Sequence, residues 1–125
     1  MDWKYLLTSF DGRINRAKFW ACVAVFVVTW VVFTILIRAF GLNLADPNPD
    51  MAVFFARAAA SFVFGLLMMY MALAVYAKRW HDRGKTGWWS LIAIVPVIGT
   101  VWIVVELGIL EGDRGANEYG PDPLA

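Results

Sequence analysis

Three apolar runs, each about twenty residues long and free of charged side chains, alternate along the chain with short polar segments; they cover residues 19–37, 58–77 and 86–105. A helix rises about 1.5 Å per residue, so each run can cross the roughly 30 Å hydrocarbon core of a bilayer. Backbone amides in lipid must be satisfied internally, which favours helices. The pattern predicts an all-α integral membrane protein, a bundle of three transmembrane helices at about 16–40, 53–79 and 86–110.

The polar segments between the runs have the composition of connections. Residues 41–50 are rich in Gly, Pro, Asn and Asp, and residues 78–85 form a short charged link. The tail, 111–125, is rich in the same turn-forming residues and is expected to be irregular. The first ten residues carry aromatic side chains at a spacing that suits a short amphipathic segment at the membrane surface. We interpret all 125 residues as a single membrane domain.

Composition supports a membrane protein over a soluble one. Apolar residues make up 61% of the chain, whereas ordinary globular domains have about 45–50%. A soluble protein of this length could not bury three helices on every face. The net charge of +1 gives no reason to expect a nucleic-acid partner. Cys22 is the single cysteine, so it predicts neither a disulfide nor a metal pair, and no metal or cofactor is expected.

The distribution of basic residues predicts the orientation in the membrane. With three spans, the N-terminus and the second link lie on one side, which would hold most of the basic residues: Lys4, Arg13, Arg16, Lys18, Lys78, Arg79, Arg83 and Lys85. The opposite side would hold Arg38, Arg57 and Arg114. Basic residues favour the cytoplasmic face, so we expect a cytoplasmic N-terminus and a periplasmic C-terminal tail.

The third apolar run contains two residues that disturb a straight helix. Pro96 lacks an amide donor and leaves the carbonyl of Ile92 without its helical partner, so the helix is expected to kink there. The alternative is a re-entrant hairpin that turns at Pro96–Gly99 and returns the tail to the cytoplasmic side.

Two polar clusters flank the apolar runs on the basic side. In the first, Arg13 and Arg16 would share a helix face and Asn15 could cap the following helix. In the second, Asp82 could form an ion pair with either of those arginines. These clusters are interpreted as a membrane anchor held by ion pairs, or as a site for phosphate or anionic lipid headgroups. A catalytic role for His81 with Asp82 is a further alternative.

Together these segments resemble a known bacterial inner-membrane family, the domain of unknown function 805. The resemblance is carried by residues 10–16 with Phe19 and Trp20, residues 78–89 with Pro96 and Gly99, and residues 112–123. It implies an inner-membrane location, a short helical bundle and no particular reaction. It also implies that these three segments form one polar surface, for which the candidate residues are Arg13, Arg16, Arg79, His81, Asp82, Arg83, Asn117, Tyr119 and Asp122. Such a surface would place the tail on the cytoplasmic side and favours the re-entrant hairpin, whereas the count of basic residues favours a periplasmic tail.

Three functions remain open from the sequence. The leading one is a small non-enzymatic membrane protein, an accessory or scaffold subunit that packs in a larger membrane complex or with copies of itself. The first alternative is a binder of anionic lipid headgroups, or of a phosphate-bearing ligand, through the arginine clusters. The second alternative is a membrane-embedded enzyme that uses His81 and Asp82.

Overall fold

The computed structural model describes all 125 residues, and the chain is helical with no β-strand. Helix α1 covers Trp3–Thr8, α2 covers Arg16–Ala39 and α3 covers Met51–Asp82. A 3₁₀ helix at Gly87–Ile94 is followed by α4 at Ile98–Ile103 and by a π-helical turn at Val104–Ile109. Two of these helices, α2 and α3, are long and apolar enough to cross a membrane. The all-helical class predicted from the sequence is therefore confirmed, with membrane-length helices at two of the three predicted spans.

Side-chain caps explain where the helices begin. The side chain of Asn15 accepts a hydrogen bond from the amide of Lys18 at 2.9 Å, as predicted for the start of α2. Asp50 caps α3 in the same way, accepting from the amide of Val53 at 2.8 Å. Each cap satisfies an amide that has no partner within the helix.

Glycine in the left-handed conformation ends both long helices. At the end of α3, Gly84 has a φ of 72°, and the amide of Lys85 donates to the carbonyl of Trp80 at 2.9 Å. This is the six-to-one bond of a Schellman motif, which only a residue with positive φ permits. Gly41 ends α2 with the same arrangement.

The third apolar run folds back on itself and is not one straight helix. A Cβ atom on Gly87 would lie 2.9 Å from Cβ of Ala77, so the run begins beside the end of α3. It also finishes there, because the carbonyls of Leu107 and Leu110 accept hydrogen bonds from Arg79. The three-helix bundle is therefore not confirmed, and the run is the hairpin of the alternative interpretation.

The reversal of the hairpin is made by Val95, Pro96 and Val97. Proline cannot donate the hydrogen bond that would continue the helix, and Val97 adopts a positive φ of 63°, which a β-branched residue rarely does. Gly99 lets the two arms approach, since a Cβ atom there would lie 3.1 Å from Cα of Ala93 and overlap the carbonyl oxygen of Ile92. A continuous helix with a kink at Pro96 would instead hold Gly99 and Ile92 about two turns apart.

The chain divides into two compact units, residues 1–23 with 70–125, and residues 24–69. The first unit has a buried core that includes Leu6, Ile14, Cys22, Trp80 and Leu107. In the second unit Phe33 and Phe64 stack with their ring centroids 3.9 Å apart. Ile37 is the single buried residue of that second unit.

Candidate functional site

A buried carboxylate, Asp82, lies at the centre of the polar residues of the first unit. The Nε atom of Arg13 donates to Asp82 Oδ1 at 3.1 Å, and Nη2 of the same arginine lies 3.0 Å from that oxygen. Arg79 pairs with the other carboxylate oxygen, Oδ2. All three side chains are buried, so two guanidinium groups share one carboxylate out of water. The sequence predicted the pair with Arg13 as one of two options.

The guanidinium nitrogens of both arginines also donate to backbone carbonyls. Arg79 donates to Leu107 at 2.6 Å and to Leu110 at 2.7 Å, at the end of the hairpin. Arg13 donates through Nη1 to Gly115 at 2.7 Å and through Nη2 to the carbonyl of Asp113 at 2.6 Å. Charge-assisted bonds of this kind are short and strong, and they leave neither arginine free for a phosphate.

These bonds fix the position of the tail. Because Arg13 precedes α2 and the tail carbonyls follow the hairpin, the tail lies against the N-terminal segment. The amide of Asp113 also donates to the carbonyl of Asp82 at 2.6 Å. The hairpin returns the chain to the end of α3 from which it left, so the tail and the N-terminal segment lie together. The side of the membrane on which the tail lies stays a prediction.

A third buried cation, Lys78, was not among the candidate site residues predicted from the sequence. Its ammonium group donates to the carbonyls of Tyr5 at 3.2 Å and Leu6 at 2.8 Å, and also to the carbonyl of Ser9. These carbonyls lie at the C-terminal end of α1 and at its cap residue Ser9, where most carbonyls lack a partner within the helix. Lys78 therefore fastens α1 to α3. The sequence feature that could have indicated this role is the position of Lys78, one turn before Asp82 at the end of an apolar run.

His81 is held by the backbone and by an aromatic ring, and it makes no hydrogen bond to Asp82. Its Nδ1 atom lies 3.0 Å from the carbonyl oxygen of Gly12, so Nδ1 carries the proton. The imidazole stacks on Tyr119, with centroids 4.1 Å apart and planes at 3°. Asn117 donates to the carbonyl of His81 at 2.9 Å. These contacts orient the histidine without forming an acid–base pair with the neighbouring carboxylate.

Arg83 and Lys85 meet a second carboxylate, that of Glu106, which directly follows the third apolar run. Glu106 receives Arg83 Nε at 3.0 Å on one oxygen and Lys85 Nζ at 3.0 Å on the other. Lys85 also lies over the ring of Trp89, 5.2 Å from the centroid. The two cations thus attach the start of the hairpin to its end. The spacing in the sequence does not predict these ion pairs, because Glu106 comes close to Arg83 and Lys85 only after the hairpin has formed.

The remaining candidates, Arg16 and Asp122, lie at the surface of the same cluster. Arg16 donates to the carbonyl of Ile109 at 2.8 Å and keeps about half of its side chain exposed, at 46%. Backbone amide donation from Leu124, and then from Gly115, holds the pKa of Asp122 below its ordinary value. All nine candidate residues therefore lie in the first unit and contribute to one network, which joins the N-terminal segment, the end of α3, the hairpin and the tail.

Comparison with known proteins shows that the chain is similar to a family of proteins of unknown function. The profile described as "Protein of unknown function (DUF805)" matches residues 7–121. The Escherichia coli K12 protein named inner membrane protein YhaH is 29% identical, over 98% of this chain and 97% of its own length. Inner membrane protein YhaI of the same organism is 29% identical, over 91% of this chain and 85% of its own. No solved structure matches the chain.

Proposed function

Because this chain belongs to the DUF805 family, whose relatives include inner membrane proteins of Escherichia coli, we propose that it is a small non-enzymatic subunit of the bacterial inner membrane. In this proposal it assembles within the bilayer, either with further copies of itself or in a larger membrane complex. The network around Asp82 serves as the structural clamp that holds the chain in one conformation.

The observation that carries this proposal is the lack of buried residues in the second unit. Between Ala24 and Met69, Ile37 alone is buried, although both helices carry large aromatic side chains. Helices in lipid associate through close packing and not through the hydrophobic effect. Two helices that bury so little against each other have large faces available for a neighbouring protein.

The polar network supports a structural role over ligand binding. A headgroup or phosphate site needs guanidinium groups with free donors, and those of Arg13 and Arg79 are already bonded to Asp82 and to backbone carbonyls. An enzyme built on His81 and Asp82 needs the two side chains to exchange a proton, and His81 instead donates to Gly12. A structural role accounts for all of these hydrogen bonds.

The proposal includes a topology with two spans and one re-entrant hairpin. Eight residues of 3₁₀ helix rise about 2 Å each, so the first arm of the hairpin reaches roughly half of the hydrocarbon thickness. Both termini then lie on one side, together with all lysines and arginines except Arg38 and Arg57. The positive-inside rule places that side in the cytoplasm.

Purification from membranes in a mild detergent tests the assembly. The intact chain would be isolated after in-membrane cross-linking, and its mass would be measured by native mass spectrometry. The proposal expects a stoichiometric oligomer or a stoichiometric partner. A chain that remains monomeric and without a partner, both with and without cross-linking, would overturn it.

A further inference from the structure

A groove in the first unit has the dimensions and polarity of a ligand site, and of the polar network only His81 lines it. Its volume is about 430 Å³, within the range of roughly 300–1,000 Å³ typical of small-molecule sites. One wall comes from the last turns of α3, with Leu73, Ala77 and His81. The opposite wall comes from the first arm of the hairpin, with Ser90 and Leu91.

The polarity of the groove changes along its length. Leu73 and His81 are two turns apart on α3, about 12 Å, so the groove runs from an apolar end to a polar end over that distance. The polar end is His81, beside Tyr119 of the tail. The apolar end continues along α3 into its uncharged run. A bilayer lipid has the same order of parts, with its polar group at the surface and its chain below.

An unsatisfied hydroxyl group gives the groove a second feature that points to a ligand. Ser90 lines the groove and is only 5% exposed, and its Oγ atom has no hydrogen-bond partner. A buried hydroxyl without a partner is unfavourable and rare in folded proteins. Ser90 follows Gly87 by three residues of 3₁₀ helix, about 6 Å along the first arm of the hairpin.

The rim of the groove is apolar and open. Trp88 is 78% exposed and Leu91 is 55% exposed. Tryptophan beside a membrane span is typical of the depth of lipid headgroups and glycerol. An exposed Trp88 at the rim therefore fits an opening at the depth of the ester groups of a phospholipid.

We propose that this groove binds one acyl chain of a bilayer glycerophospholipid, whose ester carbonyl accepts a hydrogen bond from the Ser90 hydroxyl. The chain lies against Leu73 and Leu91, and the lipid headgroup lies towards His81. This site is distinct from the arginine clusters, because no arginine lines the groove. It does not depend on the oligomeric state of the protein.

Lipid retention measured by native mass spectrometry tests the proposal. The full chain would be delipidated in detergent and then exposed to equal amounts of two phosphatidylethanolamines, one with ester-linked chains and one with ether-linked chains. A hydrogen bond worth about 1 kcal/mol corresponds to roughly fivefold in binding, so the wild type should retain the ester lipid about fivefold better. Ser90→Ala should bind both lipids equally.

A second variant tests the groove itself. Leu91→Trp fills the groove and should lower retention of the ester lipid by about tenfold or more, as expected for a blocked site. Leu67→Trp is the matched control, because Leu67 is a similarly exposed leucine of α3, at 59%, that does not line the groove. Its retention should equal that of the wild type.

Three results would overturn the proposal. The first is equal retention of ester and ether lipids by the wild type. The second is an unchanged ester preference in Ser90→Ala, and the third is equal retention by Leu91→Trp and Leu67→Trp. Ser90→Ala keeps the test decisive if Leu91→Trp does not fold, since it removes one oxygen atom and adds no volume.

Discussion

The Arg13 guanidinium lies 3.0 Å from the Asp82 carboxylate, although the two residues are 69 positions apart in the sequence. This ion pair is buried and includes Arg79 on the other carboxylate oxygen. Removing one member of a buried pair leaves a charge without compensation, which typically destabilises a protein by about 3–5 kcal/mol. Asp82→Asn, which leaves two buried arginines facing a neutral amide, should therefore lower the unfolding temperature strongly.

Thermal unfolding in detergent, followed by tryptophan fluorescence, measures this effect. The matched control is Glu111→Gln, because the pair between Glu111 and Arg114 is exposed, with 91% of the Arg114 side chain in solvent. Exposed pairs contribute about 0–1 kcal/mol, so the control should melt close to the wild type. Equal melting temperatures for both variants would contradict the central role of Asp82.

Lys78 should hold α1 in place. Lys78→Met keeps the length and apolar stem of the side chain and removes the ammonium group that bonds to the carbonyls of Tyr5, Leu6 and Ser9. Hydrogen bonds to a charged group contribute about 1.5–3 kcal/mol net, so amide exchange within residues 3–8 should accelerate by about tenfold or more.

Hydrogen–deuterium exchange with mass spectrometry gives this measurement peptide by peptide. Lys4→Met is the control, since Lys4 is an exposed residue of α1 itself. Its exchange should match that of the wild type, and the peptides of α2 should be unaffected in both variants. Unchanged protection of α1 in Lys78→Met would show that other contacts fasten this helix.

Both termini should lie on the cytoplasmic side of the membrane. Cys22 is buried and is the single cysteine, so Cys22→Ala provides a background for site-specific labelling. In intact spheroplasts a membrane-impermeant maleimide should label Ala45→Cys, in the loop between α2 and α3, and should not label Glu118→Cys in the tail. Permeabilisation should expose the tail position. Labelling of Glu118→Cys in intact spheroplasts would instead support the three-span topology.

Asp122 should make the order of the tail depend on pH. Amide donation from Leu124 and Gly115 lowers the pKa of Asp122 from its ordinary 3.8, so the folded tail favours the ionised form. The contribution is present above the ordinary pKa and is lost as the pH falls through the lower folded value. Below about pH 4 the Gly115 amide resonance should therefore move towards its position in Asp122→Asn. A wild-type resonance that stays constant from pH 7 to 2 would contradict this.

The sequence was sufficient for the elements that depend on local chemistry. The extents of α2 and α3 follow from uncharged runs between polar segments, and the start of α2 follows from the capping group of Asn15. The pair between Arg13 and Asp82 was predictable as one option because both residues lie at the same end of apolar runs. These features need no knowledge of long-range packing.

The sequence could not decide in favour of the hairpin, because Pro96 and Gly99 are compatible with two different backbone conformations. Each permits a kinked helix as readily as a reversal, and an apolar window has the same composition in both. The contacts that decide between them, such as Arg79 with Leu107 and Lys85 with Glu106, exist only after the chain has turned. The position of the tail beside the N-terminal segment depends on the same decision.

Gly99 provides the sharpest test of the hairpin. A Cβ atom at this position would overlap the carbonyl oxygen of Ile92, which is backbone and cannot move without opening the hairpin. Overpacking of this kind typically destabilises by about 1–3 kcal/mol, so Gly99→Ala should lower the melting temperature in detergent. In a merely kinked helix, alanine at position 99 would meet no such neighbour and would favour the helix.

Gly65→Ala is the matched control for this test, because the same methyl group would meet nothing within 4 Å in α3. Alanine there replaces a weaker helix former, so the control should melt at or above the wild-type temperature. The two substitutions therefore have opposite signs if the third apolar run reverses, and the same sign if it continues as a helix. A Gly99→Ala protein as stable as Gly65→Ala would overturn the hairpin and, with it, the placement of both termini on one side.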